Sequence, residues 1–132
     1  MHPLLDETHE LVRKSAAEFA EREIDPFVKN MENYEYPRDL LRDMGKLGLL
    51  APMGLVDYGG PGLDFRSEIL TVEEVAKHSP GVATILEIQG SLIVDTLATY
   101  GSNAIKEKYL SRAISGETII SYALSEPCCG SD

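Results

Sequence analysis

The sequence predicts an all-α fold: five helices closed by a single β-strand. Three observations predict it. Five segments carry apolar residues at helical spacing. Each is bounded by a capping Asp or Ser, a proline or a glycine. After Gly116 the period changes, and the run "ETIISYAL" is β-branched and aromatic, as a strand is.

The first helix is read from Asp6 to Ile24, with Leu11, Val12, Ser15, Ala16, Phe19 and Ala20 on one stripe. Asp6 takes the N-cap position. Glu10–Lys14 and Glu18–Arg22 are acid-before-base pairs four apart on the opposite face. Pro26 has no N–H for the ladder and restricts Asp25, so it is expected to end or kink this helix. The second helix opens at Pro37, carries Leu40, Leu41, Met44 and Leu47, and stops at Gly48. "GLVDYGGPGL", Gly54 to Leu63, is loop because Gly and Pro dominate it.

Asp64 caps a third helix with Ile69, Leu70, Val72, Val75 and Ala76, which ends at Ser79-Pro80. The fourth helix runs from Pro80 to Tyr100 and stops at Gly101; it is apolar nearly all the way round, which predicts a buried central helix. Ser102 caps the fifth, with Ile105, Tyr109, Leu110, Ala113 and Ile114, and Gly116 ends it. A lone strand leaves its backbone groups without partners. Residues 1–116 are therefore read as a helical domain, and residues 117–132 as the truncated opening of a second, β-rich domain.

Composition bounds the function. A chain of 132 residues suffices for one domain, and 43% hydrophobic with 26% charged residues is an ordinary globular balance. A net charge of −10 argues against nucleic acid and anionic lipid surfaces, which need clustered Lys and Arg. Met1–Leu5 is too short for a signal peptide, and no apolar run approaches the ~20 residues of a membrane span. The two cysteines, Cys128 and Cys129, are adjacent and give neither a disulfide framework nor a zinc site; a reducing, cytoplasmic setting fits them. They are read as two buried thiols rather than a redox pair.

Other motifs read as structure. "GGPG", Gly59 to Gly62, has no strand before it and no Lys-Ser/Thr after it, so it is a turn rather than a phosphate cradle. His2, His9 and His78 are scattered and read as surface residues. Glu73-Glu74 reads as a solvated face, and no Gly-x-Ser-x-Gly elbow is present for a serine hydrolase.

Three stretches carry a resemblance: "YEYPRDLLRDMGKLGLL", "DYGGPGLDF" and, most specifically, "YALSEPCCGSD" directly after five helices. With them the whole chain resembles the first domain of the acyl-CoA dehydrogenase family. Those flavoproteins oxidise acyl-CoA thioesters between Cα and Cβ to the trans-2-enoyl-CoA. The family places an N-terminal helical domain, a middle β domain and a C-terminal helical domain around FAD and substrate.

The resemblance implies roles for particular residues. The Ser125 hydroxyl would hydrogen-bond the flavin ring, with the backbone of Tyr122, Ala123 and Leu124 beside it. Fixed short donors favour the negative charge that a flavin gathers on accepting hydride. Gly130 and Ser131 would lie beside the FAD pyrophosphate, and Ser131 beside the CoA, because glycine lets backbone N–H groups approach phosphate. Ile88 and Leu92 would form the wall for the acyl chain, and the bulk of Ile88 would shorten that cavity.

The family's catalytic base is a Glu beyond residue 132, and Glu126 is given only a loop-supporting role. No catalytic residue is therefore assigned, and the chain alone is expected to be inactive. The implied partners are the acyl-CoA substrate, an electron-transfer flavoprotein as acceptor, and further copies of the chain in a homo-oligomer. Cys128-Cys129 departs from the family's small pair and would be strained if the loop needs positive φ there. Two other readings stand beside this one: a non-catalytic helical module that self-associates, and an acyl-CoA oxidase-like relative.

Overall fold

The five predicted helices all form in a computed structural model, which describes residues 4–30 and 36–130. Helix α1 joins an α-helical stretch Glu7–Phe19, a wider π-helical stretch Ala20–Ile24 and a last α-helical stretch Asp25–Asn30. Helix α2 is Arg38–Lys46 and α3 is Phe65–His78. Helix α4, Pro80–Tyr100, and helix α5, residues 103–114, also widen to π-helical form in the middle, over Ile88–Val94 and Lys106–Leu110.

The ends follow local chemistry. The Asp6 carboxylate accepts from the His9 N–H, and Asp64 accepts from the Ser67 N–H at the start of α3. The Ser102 hydroxyl caps α5 through the Ile105 N–H. Gly48 follows α2 with φ 72° and Gly116 follows α5 with φ 73°, a left-handed backbone that suits glycine. At Gly116 a side chain would also press on the Leu41 carbonyl oxygen.

Pro26 does not end the first helix as expected. The π-helical stretch before it widens the turn, the Asp25 N–H reaches back to the Ala20 carbonyl, and the helix passes over the missing proline donor.

One core gathers Ala16, Phe19, Ala20 and Ile24 of α1, Leu41 and Met44 of α2, Val75 of α3, and Val82, Ala83 and Leu86 of α4. A second gathers Ala51, Val94 of α4, and Leu110, Ala113 and Ile114 of α5. Helix α4 enters both, so it is central, but it is not buried all round. It has the length and the mean hydropathy, 1.3, of a membrane-crossing helix, more than the sequence reading allowed. Those apolar residues line the two cores on one side and a groove on the other.

Tertiary contacts overturn several surface readings. On α1 the buried line runs through His9, Ala16, Phe19 and Ala20, while Leu11 is 64% exposed. His9 is not a surface histidine: its Nδ1 accepts from the Asp6 N–H, so its Nε2 donates to Asp64 at 2.9 Å, tying the starts of α1 and α3 together. His78 also faces a partner, with Nδ1 2.8 Å from Asp25. Glu74 is buried rather than solvated and is held by Lys77 at 2.7 Å. The expected four-apart pairs of α1 are replaced by Glu10–Arg13, Lys14–Glu18 and Arg22–Glu23, exposed contacts that contribute little.

The expected strand does not form: residues 119–125 pair with no strand among the described residues. A strand is stable only when a neighbour takes its N–H and C=O groups. Beyond it, Glu126 and Cys129 exchange two backbone hydrogen bonds and close a tight turn.

Between α3 and α4 lies a buried carboxyl. Glu68 is 1% exposed, accepts from the Ser91 hydroxyl at 3.2 Å, and keeps its second oxygen without a hydrogen-bond partner. Gly90 makes the room, because a side chain there would collide with that carboxylate. Burial pushes the Glu68 pKa up to about 7; the Ser91 bond opposes this and the charge of Glu87 adds to it. The folded chain therefore holds a proton there that the unfolded chain, with the ordinary carboxyl value of 4.5, releases. The contribution to stability is fully present below pH 4.5 and is lost as the pH rises towards 7. Urea unfolding from pH 4.5 to 8 should show Glu68→Gln gaining on the parent chain by about 2–3 kcal/mol, because the amide carries no charge to desolvate. A constant difference across that range would contradict the assignment.

Candidate functional site

A cleft of about 370 Å³ runs between α4 and the segment after α5. Ile85, Ile88 and Leu92, one turn apart on α4, form one wall; Ile119, Ile120, Ser121 and Tyr122 form the other. Tyr36, just before α2, and Gln89 complete the lining. The lining is predominantly apolar with a few polar groups, the composition of a small-molecule site. Burial raises the Tyr36 phenol above its ordinary value, against the charge of Arg38, so it stays a neutral donor.

Gln89 is 1% exposed and sits where the two walls meet. Its amide nitrogen donates to the Ala113 carbonyl at 2.9 Å and the Thr118 carbonyl at 3.0 Å. Its amide oxygen accepts from the Ile120 N–H at 3.3 Å. Carbonyls only accept and an N–H only donates, so these partners fix which end of the amide is which.

Three of the residues singled out in the sequence meet in this cleft: Ile88, Leu92 and Tyr122. Ile88 is half-buried and Leu92 is 38% exposed, as residues lining an open wall are. Ala123, Leu124, Ser125 and Gly130 do not line it; all four are exposed, Leu124 by 73%. Ser131 lies outside the described residues.

Cys128 and Cys129 are exposed, not buried, because the Glu126–Cys129 turn projects from the domain. Neither has positive φ, so the expected strain is absent. The "GGPG" loop spends N–H groups on its own closure: Gly62 donates to the Gly54 carbonyl and Leu63 to the Pro52 carbonyl, both at 2.9 Å.

Ile85, Gln89, Ile119, Ile120 and Tyr36 were not singled out by sequence reasoning. Gln89 carried only a weak signal, as one of three polar residues, with Glu87 and Ser91, in the largely apolar stretch from Ile85 to Val94. Tyr36 lies in the first stretch that carried the resemblance, but its place in the cleft depends on how α2 packs near the tail.

Comparison with known proteins places these features. Residues 6–117 match the family model described as acyl-CoA dehydrogenase, N-terminal domain. The 3-(aryl)acrylate reductase of Clostridium sporogenes is 35% identical over 127 residues, 96% of this chain and 34% of the relative. The mitochondrial short-chain specific acyl-CoA dehydrogenase of Rattus norvegicus is 31% identical, over 97% of this chain and 31% of the relative. A crystal structure of an acyl-CoA dehydrogenase complexed with FAD, from Bacillus anthracis, superposes with a TM-score of 0.86 at 32% identity, covering 99% of this chain and 22% of that one. The chain thus spans about a third of the length of the curated relatives it matches.

Proposed function

The chain belongs to the acyl-CoA dehydrogenase family, whose N-terminal domain it forms, and from that premise we propose that its cleft is one wall of an acyl-CoA site in an FAD-dependent dehydrogenase. The observation that carries this reading is the meeting of Ile88 and Leu92 with Tyr122 across a largely apolar cleft. The acyl chain lies against Ile85, Ile88 and Leu92 and is held by the removal of its CH2 groups from water, about 0.8 kcal/mol for each. The bulk of Ile85, Ile88 and Ile120 narrows the cleft and favours a short acyl group, in keeping with the short-chain specific relative.

The residues after the cleft fit a flavin. Residues 123–125 and Gly130 are exposed, and nothing within 4 Å crowds the place where a Gly130 side chain would stand. Backbone N–H groups there are open to a phosphate. Bound FAD would supply a hydride acceptor for the substrate Cβ. Ser125 would donate its hydroxyl proton to the flavin ring, and Tyr122 would keep water from the apolar side of the cleft. The α proton falls to a base outside residues 1–132, and no residue of this chain is given that role. Reduced flavin must pass two electrons onward, and the family resemblance makes an electron-transfer flavoprotein the acceptor. Homo-oligomer formation belongs to the same proposal.

Two changes test this in the FAD-loaded enzyme. Ile88→Gly should extend the range of accepted acyl chains, raising kcat/KM for each added CH2 by roughly four-fold where the wall now stops it; an unchanged chain-length preference would sink the acyl-wall role. Ser125→Ala should weaken FAD retention by about five-fold, the loss of one hydrogen bond. FAD binding equal to that of the parent enzyme would remove Ser125 from the flavin site.

A further inference from the structure

We infer that Gln89 is a positioning residue that sets the width of the cleft, standing in for a neighbouring strand and holding residues 118–120 at a fixed distance from α4. The inference deepens the acyl-site reading and, for its effect on substrate, rests on it.

The hydrogen-bond pattern is specific. In a parallel ladder, one residue donates to the carbonyl of position j−1 and accepts from the N–H of position j+1. Gln89 does this with its side chain, donating to Thr118 and accepting from Ile120. Its remaining N–H joins the Gly116 N–H on the Ala113 carbonyl near the end of α5. The segment 119–125 has no partner strand among the described residues, so this amide does that part of a strand's work.

The consequence is geometric. The cleft's two walls are Ile88 and Leu92 on α4 and Ile119 to Tyr122 on the segment. Gln89 is part of the helix that presents the first wall, and its amide holds the second. Gln89 is fully buried and the Thr118 and Ile120 groups it holds are partly buried, so removing the amide takes a directed partner from the Thr118 carbonyl and the Ile120 N–H.

Amide hydrogen exchange of the 132-residue chain, followed residue by residue by NMR, tests this. Gln89→Leu keeps the bulk and removes the amide. Exchange at Ile120 should accelerate by roughly 5- to 10-fold, the loss of one hydrogen bond, while Val75 and Leu86 in the core stay as they were. Gln89→Glu supplies a second readout. Its carboxylate would face the Ala113 and Thr118 carbonyls and repel them, so Ile120 protection should be lost at neutral pH and should return in part in acid, when the carboxyl can donate once more. Unchanged Ile120 exchange in folded Gln89→Leu, or pH-independent protection in Gln89→Glu, overturns the inference.

Titration with butyryl-CoA separates the two claims. Failure of the parent chain to bind it counts against the acyl reading and leaves Ile120 exchange to decide the role of Gln89. Equal binding by the parent and Gln89→Leu overturns the positioning role.

Discussion

Every hydrogen-bonding position of the Gln89 amide group that the structure uses goes to backbone from the last fifth of the chain, and the cleft depends on it. Helix α4 has apolar residues on opposite sides. One side is covered by α1, α3 and α5 in the two cores. The other would be plain exposed surface if the segment after α5 were not drawn alongside it. A purely apolar contact would hold that segment without fixing its register, because burial has no direction. The directed bonds from Gln89 fix the register, which brings Ile119 to Tyr122 opposite Ile88 and Leu92.

The same helix carries the other polar feature of the interior. Gly90 and Ser91, next to Gln89, make room for the Glu68 carboxyl of α3 and bond to it. Three consecutive residues of α4 thus serve two partners: Gln89 the backbone of the tail, and Gly90 and Ser91 the buried acid Glu68. They lie in the π-helical stretch Ile88–Val94, a form of helix that recurs at functional sites. One turn before Glu68, at the start of α3, His9 links the two N-capping acids, Asp6 and Asp64, and Arg66 adds a contact to Asp64 and to the Leu4 carbonyl. Partial burial works against charge on Asp64, but bonds from Arg66, His9 and Ser67 outweigh it and hold that carboxyl well below the usual range. In an acidic chain with a net charge of −10, buried Glu68 is kept inside by a hydroxyl donor and a proton, while the exposed Asp6 and Asp64 are each held by named donors.

Features set by neighbours in sequence were legible in it. Asp6, Asp64 and Ser102 cap as read, and Gly48 and Gly116 end their helices, because a cap or a left-handed turn involves only a few residues. Features set by distant partners were not. Pro26 looked like a stop because the π-helical turn that carries α1 past it leaves no mark in the residue pattern. His9 and Glu74 looked solvated because what buries them is the packing of α1 on α3, which no local residue pattern announces. The run "ETIISYAL" has strand composition but no strand partner, and composition alone does not make a ladder. In the cleft, Ile88, Leu92 and Tyr122 came from the family resemblance, while Gln89 became visible only with its three partners in place.

The central claim is that the face of α4 bearing Ile88, together with the tail held beside it, receives an acyl thioester. Mapping amide chemical-shift changes of the 15N-labelled chain on addition of butyryl-CoA tests it most directly. The largest changes are expected at Ile85, Ile88, Leu92 and residues 119–122, with the outward side of α1 silent. Changes centred on α1 and α3, or none along the cleft, would contradict it.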